Sequence, residues 1–452
     1  MKIPFPVEKV ALTLLALAIP ALASAATPAK QPSDPVQSGF VTVKGRHFEL
    51  DGRPYYFAGA NFWYGMYLGS PGPSGDRARL TKELDQLAAQ GVLNLRVLAI
   101  SESSTLKRAV TPAVVQAPGK IDETLWVGLD FLLAEMARRD MKAVLYLNNF
   151  WQWSGGMSQY AAWFSGKPVV DPDVTSDWNA FMDSSASFYR SAPAQDAWRS
   201  TIRQLITRKN SVNGRPYVED PTIMSWQLAN EPRPGSDANS RPHYGVFVKW
   251  IHESAVLLKQ LAPRQLVSTG NEGWMGTGGS RELFVTSHAT KNVDYLTFHM
   301  WAPNWGWFDP KNAAGTYDAA WAKMRDYLDW HIDEANRMGK PIVLEEFGIN
   351  RDGGAFEPST STVYRDRLYQ AIFGLLARRA AAGDALAGSN FWAWGGVGRT
   401  QNPDFMWKPG DRFVGDPPQE PQGLYCVFDT DASTIRITST HARQMSSVRA
   451  GR

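Results

Sequence analysis

The segment Trp226-Gln227-Leu228-Ala229-Asn230-Glu231-Pro232-Arg233 decides the predicted fold. It continues an apolar run that begins at Ile223, and it places an asparagine and a glutamate where that run ends. A short apolar run of this kind is typical of a strand buried on both faces of a parallel sheet. A carboxylate at the end of such a strand is poorly hydrated unless it faces a functional site. The segment therefore predicts a buried strand whose carboxyl end carries a site.

A second segment, Ile342-Val343-Leu344-Glu345-Glu346-Phe347-Gly348, repeats this design with two adjacent acids. Because side chains alternate between the two faces of a strand, we expect only one of Glu345 and Glu346 to point into the site. Each strand-end acid, taken alone, also fits a salt-bridged carboxylate at the rim of a barrel. Two such acids on one face form a candidate acid and nucleophile pair for glycosyl transfer.

Short β-branched or aromatic runs alternate along the chain with longer stretches of helical period, as in repeated βα units with a parallel sheet. Eight such runs predict an α/β fold of the (β/α)8 TIM-barrel type. The alternative is an open doubly wound sheet, but no GxGxxG or phosphate loop follows a strand to support it. The predicted strands span residues 55–61, 93–99, 142–148, 223–229, 265–269, 293–299, 341–346 and 388–394.

The regions outside the repeated units predict how the barrel is closed and where its cleft lies. Residues 41–43 and 48–50 are short β-prone runs joined by a basic turn, and they predict an N-terminal hairpin that caps one end of the barrel. Two connections that follow strands are long, at residues 150–193 and 395–428. Loops after strands build the active-site face of a TIM barrel, so we expect these two to form cleft walls.

The first 25 residues have the three parts of a signal peptide. Two lysines precede the apolar run Val10–Ala23, which ends in the small-residue cleavage site Ala23-Ser24-Ala25. A membrane anchor fits less well, because the run is short and Pro20 interrupts it. We therefore expect a secreted or periplasmic protein with no membrane span after cleavage. The predicted organisation is a flexible leader at 26–38, one catalytic domain at 39–440 and a disordered tail at 441–452.

Composition excludes several classes of protein. The 47 Lys and Arg residues against 44 Asp and Glu give a net charge of only +3, and no long basic run occurs, so nucleic acid is not an expected partner. The seven His residues lack the spacing of a metal motif, and we expect neither a metal nor a cofactor. Cys426 is the one cysteine and is expected to be a packed, inert thiol. The 18 Trp residues favour a flat, partly apolar ligand. We also expect the chain to be a monomer.

Several motifs together resemble glycoside hydrolase family 5. Asn230-Glu231-Pro232 after the fourth predicted strand and Glu346-Phe347-Gly348 after the seventh are similar to the signatures of that family. Other stretches look like those of its endo-β-1,4-mannanases: Gly155–Tyr160 followed by Trp163, Arg233 after the Asn-Glu-Pro motif, and Gly415–Gly423. The resemblance extends from about residue 40 to residue 430, and it implies a retaining glycosidase on a TIM barrel.

The resemblance also implies roles for individual residues. Glu231 matches the acid/base and Glu346 the nucleophile, while Glu345 is implied to be structural. Asn230 matches the residue that hydrogen-bonds the sugar 2-hydroxyl, a contact that strengthens in the transition state. Arg96, at the end of the second strand, matches the arginine that pairs with the nucleophile.

The resemblance departs from the family after the sixth predicted strand. The family usually has His, any residue, then Tyr, and here His299 is followed at the last position by Trp301. An indole N–H donates one hydrogen bond and accepts none, so Trp301 either orients Glu346 or lines the cleft. His299 is implied to be a hydrogen-bond donor to the acid.

Sugar rings have apolar faces and polar edges, so a cleft that binds them combines aromatic platforms with polar side chains. Trp392 matches the family tryptophan under the sugar that is cleaved, Trp151 matches an aromatic residue after the third strand, and Arg233 matches an arginine on the leaving-group side. Further expected platforms are Trp63 and Trp394, and weaker candidates are Trp153, Trp163, Trp305 and Trp307.

These residues predict a retaining endo-β-1,4-mannanase that acts on mannan, glucomannan or galactomannan. A family 5 endo-β-1,4-glucanase with the same two acids is the nearest alternative. A carbohydrate-binding protein without activity is the alternative from another class, but it would not require both acids.

Overall fold

The computed structural model describes residues 39–449. Eight parallel strands form the central sheet: β1 (Phe57–Asn61), β2 (Asn94–Leu98), β3 (Lys142–Tyr146), β4 (Ile223–Gln227), β5 (Leu266–Ser268), β6 (Leu296–Met300), β7 (Ile342–Phe347) and β8 (Leu386–Phe391). They pair in the order β5-β4-β3-β2-β1-β8-β7-β6. The backbone N–H of Asp294 donates to the carbonyl of Val267 (2.8 Å) across the remaining seam. The predicted (β/α)8 barrel is therefore confirmed.

A helix follows each strand and covers the outside of the barrel. These helices are α1 (Arg77–Ala89), α2 (Glu123–Ala137), α3 (Ala192–Ile206), α4 (Tyr244–Leu261), α5 (Arg281–His288), α6 (Ala313–Met338), α7 (Val363–Ala381) and α8 (Ala432–Ser447). Every residue of the eight strands is buried. Burial on both faces is typical of parallel strands. The polar residues within these strands, among them Arg96, Gln227 and His299, are buried as well.

A small antiparallel sheet closes the amino end of the barrel, as predicted from residues 41–50. Its strands are Thr42–Lys44, His47–Leu50 and Arg53–Pro54. Phe48 lies against Phe57 at the start of β1, with ring centres 6.4 Å apart, and meets Tyr295 edge to face at 5.2 Å. This apolar plug leaves the carboxyl ends of the strands as the open face.

The two long connections both lie at the carboxyl ends of the strands. The one after β3 contains three helices, Gly156–Ser165, Pro172–Thr175 and Trp178–Ala186. The one after β8 is bounded by a pair of short strands, Trp394–Gly396 and Val427–Phe428. Residues from both connections line the cavity described below, as expected of cleft walls.

The predicted disordered tail is wrong for residues 441–447, because these residues belong to α8. The buried positions of α8 are Thr434, Thr438, His441, Ala442 and Met445. Their spacing is helical, but most of them are polar or weakly apolar, so hydrophobic periodicity does not reveal the helix. Residues 1–38, with the predicted signal peptide and leader, and residues 450–452 lie outside the described residues. Between residues 39 and 449, each helix is too short or too polar to cross a lipid bilayer.

His441 fixes α8 to the barrel. Its ring stacks on Phe373 of α7, with centres 4.1 Å apart, and its Nε2 lies 3.1 Å from the hydroxyl of Ser389 in β8. Burial lowers the pKa of His441 to about 3. Below about pH 6.5 the imidazole of His441 takes up a proton in the unfolded chain but stays neutral in the folded chain. This group therefore reduces stability as the pH falls from 6.5 towards 3.

Replacing this histidine should make the fold less sensitive to acid. Between pH 7 and pH 5 we expect the free energy of unfolding of His441→Phe to fall by about 2 kcal/mol less than that of the wild type, because the phenylalanine keeps the ring and removes the titrating nitrogen. Urea denaturation at the two pH values measures this difference. His252→Gln, which removes a half-buried histidine from α4, is the control. An unchanged pH dependence in His441→Phe would contradict the assignment.

Candidate active site

A cavity of about 500 Å³ opens at the carboxyl ends of the strands. Five acids line it, namely Asp173, Glu231, Glu272, Glu346 and Glu420. Six tryptophans line it as well: Trp151, Trp153, Trp178, Trp301, Trp305 and Trp392. A pocket that combines aromatic faces with a few convergent polar groups is the usual form of a small-molecule site.

Arg96 of β2 lies at the floor of this cavity with no exposed surface. Its Nε donates to Gln227 (2.7 Å), its Nη1 donates to Asn61 (3.1 Å) and to Glu346, and its Nη2 donates to Asn230 (2.8 Å). These acceptors come from strands β1, β4 and β7 and from the residue positions just after β4. The expected pairing of Arg96 with Glu346 is present in the structure.

Both acids of β7 approach Arg96, which differs from the expected alternation. Oε2 of Glu345 accepts from Gln227 (2.7 Å) inside the barrel and lies 3.8 Å from Nε of Arg96, whereas Glu346 lines the cavity. Leu344 pairs with Phe298 of β6, but the next pair joins Glu346 to His299, so Glu345 is an extra residue in the strand. Bulges of this kind are common beside active sites and re-aim side chains. Only Glu346 reaches the cavity wall.

Glu231 is held by three donors. Its Oε2 accepts from Nε1 of Trp151 (2.5 Å), and its Oε1 accepts from Nε1 of Trp301 (3.0 Å) and lies 2.6 Å from Nδ1 of His299. The same Nδ1 is 3.3 Å from Oε2 of Glu346. Trp301 therefore orients Glu231 and lines the cavity. Of the two predicted alternatives, lining of the cleft agrees with the structure, whereas orientation of Glu346 does not. His299 bridges the two acids, in agreement with its predicted role as a donor to the acid.

The backbone of Glu231 also departs from ordinary strand geometry. Its φ is +46°, in the left-handed region that residues other than glycine rarely adopt. The backbone N–H of Glu231 donates to the carbonyl of Gly270 (2.9 Å), which holds the turn in place. Strained backbone of this kind clusters at functional positions, and here it turns the carboxyl group towards the cavity.

Burial and the neighbouring charges determine where the protons are. Burial acts to lower the pKa of His299, but the charge of Glu346 and the hydrogen bonds to the surrounding carboxylates outweigh it and raise that pKa well above its ordinary value. Burial acts to raise the pKa of Glu231, but the hydrogen bond and charge of His299 outweigh it and lower that pKa. In the empty cavity the proton between Nδ1 of His299 and Oε1 of Glu231 therefore resides on the imidazole.

One group of metal-ligating types comes together among residues 39–449. Ligand atoms of Glu231, His299 and Glu346 all lie within 4.8 Å of one another. The guanidinium of Arg96 contacts Glu346 from below, and its positive charge disfavours a cation at this position. We therefore interpret the group as a proton-transfer centre.

Four of the tryptophans expected in the cleft lie elsewhere. Trp63 is fully buried, and its Nε1 donates to the carbonyl of Gly415 (2.7 Å), so it anchors the long connection after β8. Trp394 is also fully buried, at the start of that connection. The prediction that Trp63 and Trp394 bind substrate is wrong, because both indoles pack beneath the loop. Trp163 and Trp307 also lie outside the cavity lining, whereas Trp153 and Trp305 belong to it.

The remaining predicted platforms, Trp392 and Trp151, do line the cavity. The rings of Trp392 and Trp301 meet edge to face with centres 5.7 Å apart. Arg233 also lines the cavity, with its guanidinium carbon 5.7 Å from the ring centre of Trp151. Trp178, from the helices after β3, is a further aromatic residue that sequence reasoning missed.

Sequence reasoning also missed two acids of the cavity, the buried Glu272 and the half-buried Glu420. Glu272 lies four residues after β5, in the same position relative to its strand as Glu231 has after β4, and this spacing was a usable signal. Burial raises the pKa of Glu272 to about 7, and Glu231 adds to the effect. Glu420 lies within Gly415–Gly423, a segment already noted for its family resemblance. Burial raises its pKa well above the ordinary value, with a further contribution from Asp416.

Comparison with known proteins identifies the family of the chain. A sequence model of the family described as GH family 5 beta-mannosidase-like matches residues 38–450. The chain is 27% identical over 429 residues to "Putative mannan endo-1,4-beta-mannosidase 4" of Arabidopsis thaliana, with 92% of each protein covered. A crystal structure of a glycoside hydrolase family 5 mannosidase from Rhizomucor miehei has a TM-score of 0.83 and 37% identity, and the match covers 91% of this chain and 98% of that one. A mutant family 5 mannosidase from the same organism, solved in complex with mannosyl-fructose, has the same score and identity and covers 90% and 98%.

Removing the charge of Arg96 should destabilise the protein. For Arg96→Met we expect a loss of about 3 to 5 kcal/mol in the free energy of unfolding at pH 7, because buried carboxylates lose their counter-charge. Urea denaturation at pH 7 tests this, with Arg325→Met, on the exposed side of α6, as the control. A loss no larger than that of the control would argue against charge balance as the role of Arg96.

Proposed function

The chain belongs to the β-mannosidase-like group of glycoside hydrolase family 5, and from this membership we propose that it hydrolyses β-1,4-mannosidic bonds with retention of the anomeric configuration. The observation that carries the proposal is the closeness of Glu231 and Glu346, whose oxygens lie within 4.8 Å of each other on either side of His299. Retaining glycosidases separate their two carboxyl groups by about 5 to 5.5 Å, whereas inverting enzymes need about 6.5 to 9.5 Å to admit a water.

In the first step Glu346 attacks the anomeric carbon as a carboxylate, and the bond from that carbon to the departing oxygen breaks. Glu231 gives the departing oxygen the proton that it shares with His299. In the second step Glu231 removes a proton from water, and the water oxygen replaces Glu346 on the anomeric carbon. Atoms and protons balance without a cofactor.

Asn230 and Trp392 are the groups that would hold the sugar at the point of cleavage. Oδ1 of Asn230 accepts from Arg96, and its Nδ2 donates to Asn149 (3.1 Å). An amide nitrogen has two hydrogens, so one remains for the 2-hydroxyl of the sugar. Trp392 supplies an aromatic face beside Trp301, suited to the apolar face of a pyranose ring.

We propose an endo mode of cleavage on mannan, glucomannan or galactomannan, supported by the curated plant relative named as a mannan endo-1,4-beta-mannosidase. A second candidate is removal of single mannose units from chain ends. It is favoured by the 37% identity over 98% of the length of a protein described as a mannosidase. The helices after β3 and the loop after β8, which line the cavity from both sides, are the segments that would block an extended chain in that mode.

We also propose that the protein is exported by the signal peptide at residues 1–25, and that it acts in the periplasm or outside the cell as a monomer with one catalytic domain. The predicted signal and leader provide the support for export.

Replacing either acid should abolish turnover. We expect Glu346→Ala and Glu231→Gln to reduce kcat on a manno-oligosaccharide by at least about 100-fold to 10,000-fold, because a sugar hydroxyl leaves only when it is protonated and displaced. Glu282→Gln, an exposed acid of α5, is the matched control. Azide, which needs no general base, should give a β-mannosyl azide with Glu231→Ala on an aryl β-mannoside, and an α-azide would contradict retention. Activity of either acid variant within a few-fold of the wild type would refute the assignment.

Product size distinguishes the two modes of cleavage. On linear mannan we expect a rapid loss of viscosity and a ladder of short manno-oligosaccharides, which Glu346→Ala does not produce. Release of mannose alone, with viscosity maintained, would replace the endo mode by the second candidate. Cleavage of carboxymethyl cellulose in preference to mannan and glucomannan would overturn the substrate and retain the mechanism.

A further inference from the structure

Glu272 and Arg233 form a pair that the proposed reaction does not use. Glu272 follows β5 and is 3% exposed. Its Oε2 has no hydrogen-bond partner among residues 39–449, and neither does Nε of Arg233, which lies 3.8 Å away. Both side chains line the cavity. A buried carboxyl group and a half-buried guanidinium that face each other without a hydrogen bond interact through their charges.

This pair lies beside the acid of the reaction. Arg233 is two residues after Glu231, and its guanidinium lies over the ring of Trp151, whose Nε1 donates to Glu231 (2.5 Å). Nη2 of Arg233 donates to the carbonyl of Met275 (2.9 Å), which restrains the guanidinium at this distance. A change of charge on Glu272 therefore alters the field at Glu231 with little need for movement.

The charges of the cavity floor do not balance if every acid is ionised. Four buried carboxyl groups, on Glu231, Glu272, Glu345 and Glu346, and the half-buried Glu420 face three cationic groups, on Arg96, Arg233 and His299. Uncompensated buried charge is costly, so about two of the acids hold protons at neutral pH. Glu272 and Glu420 are the two whose surroundings favour the protonated form.

We propose that Glu272 is a positioning residue for the proton that Glu231 shares with His299: when protonated, Glu272 leaves the charge of Arg233 uncompensated, and when ionised it cancels that charge. The proposal rests on the role of Glu231 as the acid of the proposed function. As the pH rises, Glu272 ionises and the local potential becomes more negative, so the His299–Glu231 pair keeps its shared proton to a higher pH than it would beside Arg233 alone. The pair of Glu272 and Arg233 thereby extends the activity to higher pH.

The groups that face Glu272 are consistent with this role. Burial raises its pKa to about 7, Glu231 and Glu346 act in the same direction, and Arg233 and His299 oppose them. Tyr327 of α6 also packs here, and its hydroxyl donates to the backbone carbonyl of Glu272 (2.7 Å). Since the pKa of Glu272 lies near 7, its charge changes within the range in which the His299–Glu231 pair must retain its shared proton.

The experiment compares the alkaline limb of kcat/KM for hydrolysis of a manno-oligosaccharide, whose leaving group needs protonation. We expect Glu272→Gln to move the midpoint of that limb to lower pH by about half a unit or more, and Arg233→Met to move it to higher pH. The double variant should lie between the two single variants, because it removes both charges. Glu282→Gln is again the matched control, and melting temperatures of all variants verify folding.

Glu272→Gln, Arg233→Met and Glu231→Gln together distinguish failure of this inference from failure of the proposed function. A limb that stays in place in both Glu272→Gln and Arg233→Met, while Glu231→Gln remains inactive, overturns this inference and leaves the proposed function intact. Shifts of the same sign in both variants, or a rise in KM at every pH without a shift, also overturn it, since they indicate a purely structural or sugar-binding role. Full activity of Glu231→Gln would instead show that the proposed function has failed.

Discussion

The buried guanidinium of Arg96 is the interaction on which the rest of the site depends. A guanidinium remains charged at any pH at which the protein is folded, so its burial is tolerated only when acceptors surround it. Four acceptors, from Gln227, Asn61, Glu346 and Asn230, converge on its three nitrogens. They are separated in sequence by as much as 285 residues, and only closure of the barrel brings them together. Closure of the barrel therefore both buries the strands and places the charge of Arg96 beside the acids.

The acids above Arg96 form one proton-sharing system. His299 contacts Glu231 and Glu346 with the same nitrogen, and Glu272 lies at the edge of this group beside Arg233. In the proposed reaction Glu346 attacks as a carboxylate and Glu231 delivers a proton. The two side chains are chemically identical, so the charges beside them determine which one is protonated. The number of carboxyl groups exceeds the number of cations, so protons bound by the cavity are part of its structure at neutral pH.

The tryptophans serve two physical purposes that composition alone does not separate. Trp151 and Trp301 present an N–H to Glu231 and an aromatic surface to the cavity. Trp63 uses its N–H to hold the backbone of Gly415, and its ring is sealed in the core. Both uses give the single indole donor a partner. Burial of the whole ring, as in Trp63 and Trp394, decides which tryptophans are out of reach of a sugar.

The sequence by itself determined the eight strands, their parallel order, the amino-end plug and the positions of Arg96, Glu231 and Glu346, because strand periodicity and strand ends are local properties of the chain. It also pointed to His299, Trp151 and Trp392. The tertiary structure alone decided that Trp301 donates to Glu231, that Trp63 and Trp394 are buried, and that α8 continues through residue 447. It also brought Glu272 and Glu420 into the cavity. These outcomes depend on a bulge in β7 and on how two long connections pack, and contacts between distant segments leave no periodic signal in the sequence.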